Sequence, residues 1–296
     1  MKDYCHYHPV DPAIWQCSQC HHQYCEGCSS RPASSGTRNL CPLCNQPMAY
    51  LGSRNKVEPF WQRMPSFFKY PLKQDPVLLM LFCTLLPIFI GQNLIGLVLV
   101  LVLTAIQFKY MYSVIETTSN GHMDPPDLIS AFTGGGFSIV FQQIGVLFLM
   151  GLMVFGAAHL GNWAATLMVV FLVLALPASI IILALEQNIV QAVHPLRLVS
   201  LMLSVGWPYL VLYANLLVVF FAMSALVNLL NQQFSVEVAN ALTGLAASYF
   251  LLMIFNMLGY FLYEHQGALG FTADEDTPEP TDVKGTPEMA RADIFL

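Results

Sequence analysis

Charge is scarce in this chain. Of its 296 residues only 10% are Asp, Glu, Lys or Arg, while 56% are hydrophobic; a soluble globular domain carries about 25% charged residues. That deficit, with a mean hydropathy of +0.57, excludes an ordinary soluble fold and implies a membrane protein. Basic residues are the fewest, 12 Lys and Arg against 18 Asp and Glu. Near the N-terminus Lys2, Arg31, Arg38, Arg54 and Lys56 are offset by Asp3, Asp11, Glu26 and Glu58, so there is no basic stripe for nucleic acid. His-Glu-x-x-His, Gly-x-Ser-x-Gly, a Walker loop and paired intramembrane aspartates are all missing. No protease, hydrolase or ATPase signature remains, and no enzymatic activity is expected. The opening Met1-Lys2-Asp3-Tyr4-Cys5 leaves no apolar stretch for a signal sequence, so no cleavage for secretion is expected.

Cysteine is almost absent beyond residue 44. Cys83 stands alone in an apolar run, where a small buried hydrophobe is the default. The other seven cysteines and His8 form four pairs: Cys5-x2-His8, Cys17-x2-Cys20, Cys25-x2-Cys28 and Cys41-x2-Cys44. A two-residue gap lets both side chains of a pair reach one ion from a tight turn, and two pairs complete a closed tetrahedral shell. Eight ligands therefore suit two zinc ions. Sequential and alternating pairing are both conceivable, but only four residues separate Cys20 from Cys25, little chain for adjacent pairs to wrap one ion. A cross-brace is expected, with Cys5, His8, Cys25 and Cys28 on one zinc and Cys17, Cys20, Cys41 and Cys44 on the other. His6, His21 and His22 are surplus imidazoles expected in solvent.

Residues 1–50 offer few apolar side chains, chiefly Ile14, Trp15, Tyr24, Leu40 and Leu43. They bury too little surface to offset chain entropy, so metal, on the order of 10 kcal/mol per site, must supply the folding free energy. Disulfides are disfavoured because the topology derived below places this segment in the reducing cytosol.

A connector over 51–75 mixes Arg54, Lys56, Arg63, Lys69 and Lys73 with Phe60, Trp61, Phe67, Phe68 and Tyr70. Bases that attract anionic headgroups, interleaved with interfacial aromatics, fit either a segment on the membrane surface or an ordinary juxtamembrane linker. Region 76–265 is the transmembrane helical domain, with spans expected at 77–91, 93–112, 138–159, 163–185, 207–230 and 239–263. One helix over Val77 to Phe108 would reach roughly 48 Å, against a hydrocarbon core of about 30 Å; a break at Gly91-Gln92-Asn93 divides it in two. With six spans, all twelve Lys and Arg residues fall on the side of the cysteine pairs, whereas five would put Lys109, Arg197, Lys284 and Arg291 opposite. The positive-inside bias favours six, with both termini cytoplasmic.

The inner loop Glu116 to Gly136 holds a short apolar run, Leu128 to Phe132, before Gly134-Gly135-Gly136, read as an interfacial helix and a hinge. Gln142, Gln143, Asn215, Asn228 and Asn256 lie in or near the spans as amides expected to bond between helices. Glu186 and Glu264 are expected at solvated helix ends. Residues 266–296, rich in acids, threonine and proline, read as a disordered tail.

The cysteine-pair region resembles a B-box-type zinc finger, closing on a RING-like Cys41-Pro42-Leu43-Cys44. It differs from the B-box in ending on cysteines and from RING in placing its histidine in the first pair. The whole order, through Gly259-Tyr260-Phe261-Leu262-Tyr263-Glu264-His265, resembles uncharacterised bacterial multi-pass membrane proteins with such a finger. That resemblance implies an all-α polytopic bundle of about six transmembrane helices with a small zinc-stapled head, in the bacterial inner membrane. Membrane lipids and a protein partner are the expected contacts, with a transporter or channel regulated by the finger as the alternative.

Overall fold

Long apolar segments, capped where polar residues interrupt them, account for most of the secondary structure. The computed structural model describes residues 4–9, 13–25, 28, 40–46, 48–50, 58–90, 93–133 and 136–269. The expected tail beyond residue 269, residues 51–57 of the connector, and Gly134 and Gly135 of the hinge lie outside them. The chain divides into two units, one of Phe60–Leu262 and one combining Met1–Pro59 with Tyr263–Leu296.

In the larger unit, a 3-10 turn at Phe60–Gln62 and the short helix α1 (Met64–Lys69) lead through a second turn, Tyr70–Leu72, into α2 (Gln74–Ile90). Pro65 and Pro71 sit in the first turns of these short elements, where a missing N–H costs nothing. Of the expected break at Gly91-Gln92-Asn93, Gly91 and Gln92 lie outside the described residues, and α2 ends before them. Helix α3 (Leu94–Ser119) starts afresh at Asn93, whose side chain accepts a hydrogen bond from Gly96 N–H at 2.7 Å, an N-cap that satisfies one orphan donor.

The remaining helices are α4 (Leu128–Phe132), α5 (Ser138–Ala158), α6 (Asn162–Glu186), α7 (Ile189–Val193), α8 (Pro195–Val205), α9 (Trp207–Gln233) and α10 (Val236–Leu269). Gly161, at φ +123°, makes the tight turn between α5 and α6, a conformation that glycine adopts without a Cβ clash. Asn188 caps α7 by accepting from the N–H groups of Val190 and Gln191. Helix α10 departs from helical geometry at His265, two residues past the expected end of the last span.

Among the described residues five helices, α3, α5, α6, α9 and α10, are long and apolar enough to cross a membrane. The first expected span corresponds to α2, which is apolar but only 17 residues long, roughly 26 Å at 1.5 Å per residue. Many of the apolar side chains point outward: Phe141, Phe148, Phe155, Val218 and Phe220 are each more than 60% exposed. A water-soluble monomer rarely exposes so much contiguous apolar surface; lipid would cover it.

Close packing holds α10 to α3. A Cβ added to Gly259 would lie 2.9 Å from Thr118 Cβ and 3.0 Å from the Ile115 carbonyl oxygen, so the backbones approach as small residues in membrane helices allow. One turn earlier, Asn256 Nδ2 donates to Thr118 Oγ1 at 3.0 Å, fully buried. Tyr112 of α3 donates its hydroxyl to Gln143 of α5 and meets the Phe255 ring edge-on. Two of the five expected interhelical amides, Gln143 and Asn256, therefore bridge helices. Asn215 instead donates to Val211 O on its own helix, Asn228 is exposed, and Gln142 Oε1 is buried without a partner among the described residues.

The inner loop starts at Asn120, four residues later than expected, because Thr117 and Ser119 bond back onto α3 and extend it. The expected short helix is α4. It is pinned from both sides: Asp75 Oδ1 accepts from Leu128 N–H at 3.3 Å, Lys73 Nζ donates to Asp124 Oδ1 at 2.6 Å, and Tyr110 donates to Pro126 O at 2.9 Å. Glu186 pairs with Arg197 of α8 at 2.5 Å, whereas Glu264, expected in solvent, is buried.

Candidate metal centre

A three-stranded antiparallel sheet, ordered β2-β1-β3, positions the cysteines. Strand β1 (Trp15–Cys17) pairs with β2 (Gln23–Tyr24) and with β3 (Met48–Tyr50), placing Cys17 opposite Met48. Such short strands have little stability of their own. The buried centre they enclose is mostly sulfur: Cys5, Cys17, Cys25, Cys28 and Cys41 with Tyr24 and Met48.

Two of the pairs form matching turns. Cys17 N–H donates to His22 O at 2.9 Å while His21 N–H donates back to Cys17 O at 3.1 Å. In the second, Cys41 N–H donates to Gln46 O at 2.8 Å and Asn45 N–H to Cys41 O at 2.9 Å. The residue after the second cysteine is left-handed in both, His21 at φ +57° and Asn45 at φ +56°. The Cys17 turn is also the β1–β2 hairpin, so strand pairing and ligand presentation are one structure. The left-handed conformation costs a non-glycine residue roughly 1–2 kcal/mol. His21→Gly is therefore expected to stabilise the head by about 0.5–1 kcal/mol, the gain being reduced by glycine's greater freedom when unfolded. His21→Val should destabilise it. Chelator-induced unfolding of the two variants in parallel reads both signs.

The eight expected ligands converge in two groups of four, Cys5, His8, Cys25 and Cys28 in one and Cys17, Cys20, Cys41 and Cys44 in the other. This is the cross-braced grouping expected from the spacing. In the first, Cys5 Sγ is 3.5 Å from Cys28 Sγ, and His8 Nδ1 lies 3.2 Å from Cys28, 3.4 Å from Cys25 and 3.9 Å from Cys5. In the second, Cys17 to Cys44 is 3.3 Å, Cys20 to Cys41 3.6 Å and Cys20 to Cys44 4.0 Å. A tetrahedral zinc shell with bonds of about 2.3 Å has edges near 3.8 Å; a disulfide would bring sulfurs to about 2.05 Å. All eight cysteines, Cys83 included, are free. The residues present thus fit a four-coordinate ion in each group.

Electrostatics supports the same conclusion. Burial opposes ionisation of Cys17, yet the amides of Cys20 and Gln19 bring its thiol down to about 6. Cys5 falls to about 7, burial again being outweighed by the backbone of Cys25, His8 and Tyr7. Their neighbours go the other way. Burial and the sulfurs of Cys5 and Cys25 push Cys28 strongly up. Cys44, although the Gln46 amide draws it down, rises to about 12 beside Cys17, Cys41 and Cys20. One thiolate suppresses the next, and a cation at the centre removes the conflict.

Neither group includes His6, His21 or His22; the rings of His6 and His22 instead meet edge-to-face at 4.3 Å. Two positions carry more than the sequence indicated. Tyr24 is fully buried with its hydroxyl 3.4 Å from Cys41 Sγ, a contact no spacing rule reveals. Lys109, read from sequence only as a topology marker, is buried in α3, where Nζ donates to Thr133 O at 2.8 Å and lies 4.7 Å from the Phe137 ring. A lone base within an apolar helix is the signal that could have singled it out.

No family model, curated protein or solved structure matches this chain. Its metal-binding potential rests on the ligand chemistry: two Cys/His clusters near the N-terminus, each able to hold a metal ion, joined to apolar helices that fit a membrane protein.

Proposed function

We propose that the chain is a non-enzymatic, zinc-binding inner-membrane protein whose B-box-like head is a cytosolic docking module anchored by the helical bundle. The observation that carries this reading is the closure of both clusters. Each has four protein ligands, which suits a structural ion and leaves no open position for substrate or an activated water. Zinc is the metal that tetrahedral thiolate-imidazole sites favour. The positive-inside bias supports an even number of crossings with both termini in the cytosol, and α2 serves as the short sixth span.

Full-length protein is cross-linked in its native membrane with and without prior treatment by a membrane-permeant chelator. The docking role is expected to show as protein partners that vanish on metal removal; an unchanged partner set refutes it. A second reading, a transporter or channel regulated by the head, is favoured by the buried amide atoms Gln107 Nε2 and Gln142 Oε1 in α3 and α5, which have no hydrogen-bond partner among the described residues. Solute flux in proteoliposomes that is lost in Gln107→Leu and Gln142→Leu would support it over docking.

A further inference from the structure

Tyr24 stands at the end of β2, immediately before Cys25. Its ring is 0% exposed and its hydroxyl lies 3.4 Å from Cys41 Sγ. Side chains alternate along an extended strand, and the two neighbours serve different clusters: Cys25 belongs to the three-sulfur group, while the Tyr24 hydroxyl reaches the four-sulfur group. A buried phenol needs a hydrogen-bond partner, and here that partner is sulfur.

The chemistry of the ligand fixes the direction of this bond. A metal-bound cysteine is a thiolate without a proton, so the phenol O–H must be the donor. Four thiolates overcompensate a dication more than three thiolates and an imidazole do. A donor to one of the four sulfurs relieves that excess and holds the ligand in place, as partners outside the ligand shell do in metal sites generally.

The geometry points to Tyr24 as a positioning residue for the four-sulfur site, supporting the Cys41 thiolate by hydrogen bond from a strand that also delivers a ligand to the other site. This rests on both clusters being metal sites, and the experiment separates the two claims.

The full-length chain in detergent, as wild type and as Tyr24→Phe, is stripped of metal and titrated with Co²⁺, then with Zn²⁺ against a chromophoric chelator. Cobalt in a four-sulfur site and in a three-sulfur, one-nitrogen site absorbs at different energies, so each is followed separately. Phenylalanine keeps the ring and removes only the hydroxyl. The expected result is a loss of about 10- to 100-fold in affinity at the four-sulfur site, with the three-sulfur site unchanged. Equal affinities in the two proteins overturn the inference. So does an equal loss at both sites, which would mean that the hydroxyl acts through the fold of the head as a whole. A wild-type chain that binds no metal at all overturns the metal reading itself.

Discussion

Stripping the metal from the purified protein with a strong chelator is expected to unfold the head and leave the helical signal nearly intact. All eight ligands lie within Cys5 to Cys44. The apolar residues buried there, Ala13, Ile14, Tyr24 and Met48 among them, contribute about 1.5–3 kcal/mol for each large side chain. Ordering the backbone costs about 1–2 kcal/mol per residue. The balance is unfavourable until each ion adds on the order of 10 kcal/mol. Far-UV circular dichroism should barely change, since the long helices between Phe60 and Leu262 contain no ligand. The near-UV signal of Trp15 and Tyr24 should collapse, and chymotrypsin should begin to cut at Tyr24, which is buried in the folded head. A head that stays protease-resistant after complete metal removal would defeat this account.

The second large effect is expected at Gly259. Even alanine would put a carbon 2.9 Å from Thr118 Cβ and 3.0 Å from the Ile115 carbonyl oxygen. Backbone cannot yield as a side-chain tip can. Helices α3 and α10 must separate, at about 1–3 kcal/mol for a modest overpacking, with the buried Asn256–Thr118 hydrogen bond strained or lost. Gly259→Val should cost more than Gly259→Ala, both read as a fall in Tm in detergent. Gly151→Ala is the control: a Cβ there meets nothing within 4 Å, and alanine has the better helix propensity by about 1 kcal/mol. Its Tm should hold or rise. Equal Tm for the Gly259 and Gly151 variants would show that the close approach is unimportant.

The ligand grouping was legible because it depends on chain length: four residues between Cys20 and Cys25 make alternation the easier closure. The division between α2 and α3 was suggested by length and charge, since one helix over Val77 to Phe108 outruns the hydrocarbon core and six spans gather the basic residues on one side; the Asn93 cap that starts α3 was not read from the sequence. Other features depend on what comes near in space. Thr117, Thr118 and Ser119 read as the start of a loop, yet two bond back to their own helix and the third meets Asn256 from α10. Gly259 in sequence is a weak helix former; only the approach of α3 gives it a role. Glu264 has nothing in its sequence neighbours to announce burial. The apolar character of α2 was plain, but its length depended on where polar residues ended it, and 17 residues leave it shorter than the five helices of full crossing length.

The alternation of the two ligand groups along the chain has a consequence for how the head can change. Were the pairs joined in sequence, either half could be trimmed away and the other left to function. Here a cut between Cys20 and Cys25 leaves two ligands of each site on either side, so neither half holds a complete shell. Such a head does not divide into two working halves: the piece ending at Cys20 and the piece starting at Cys25 should both be unstructured, since neither retains four ligands of one site.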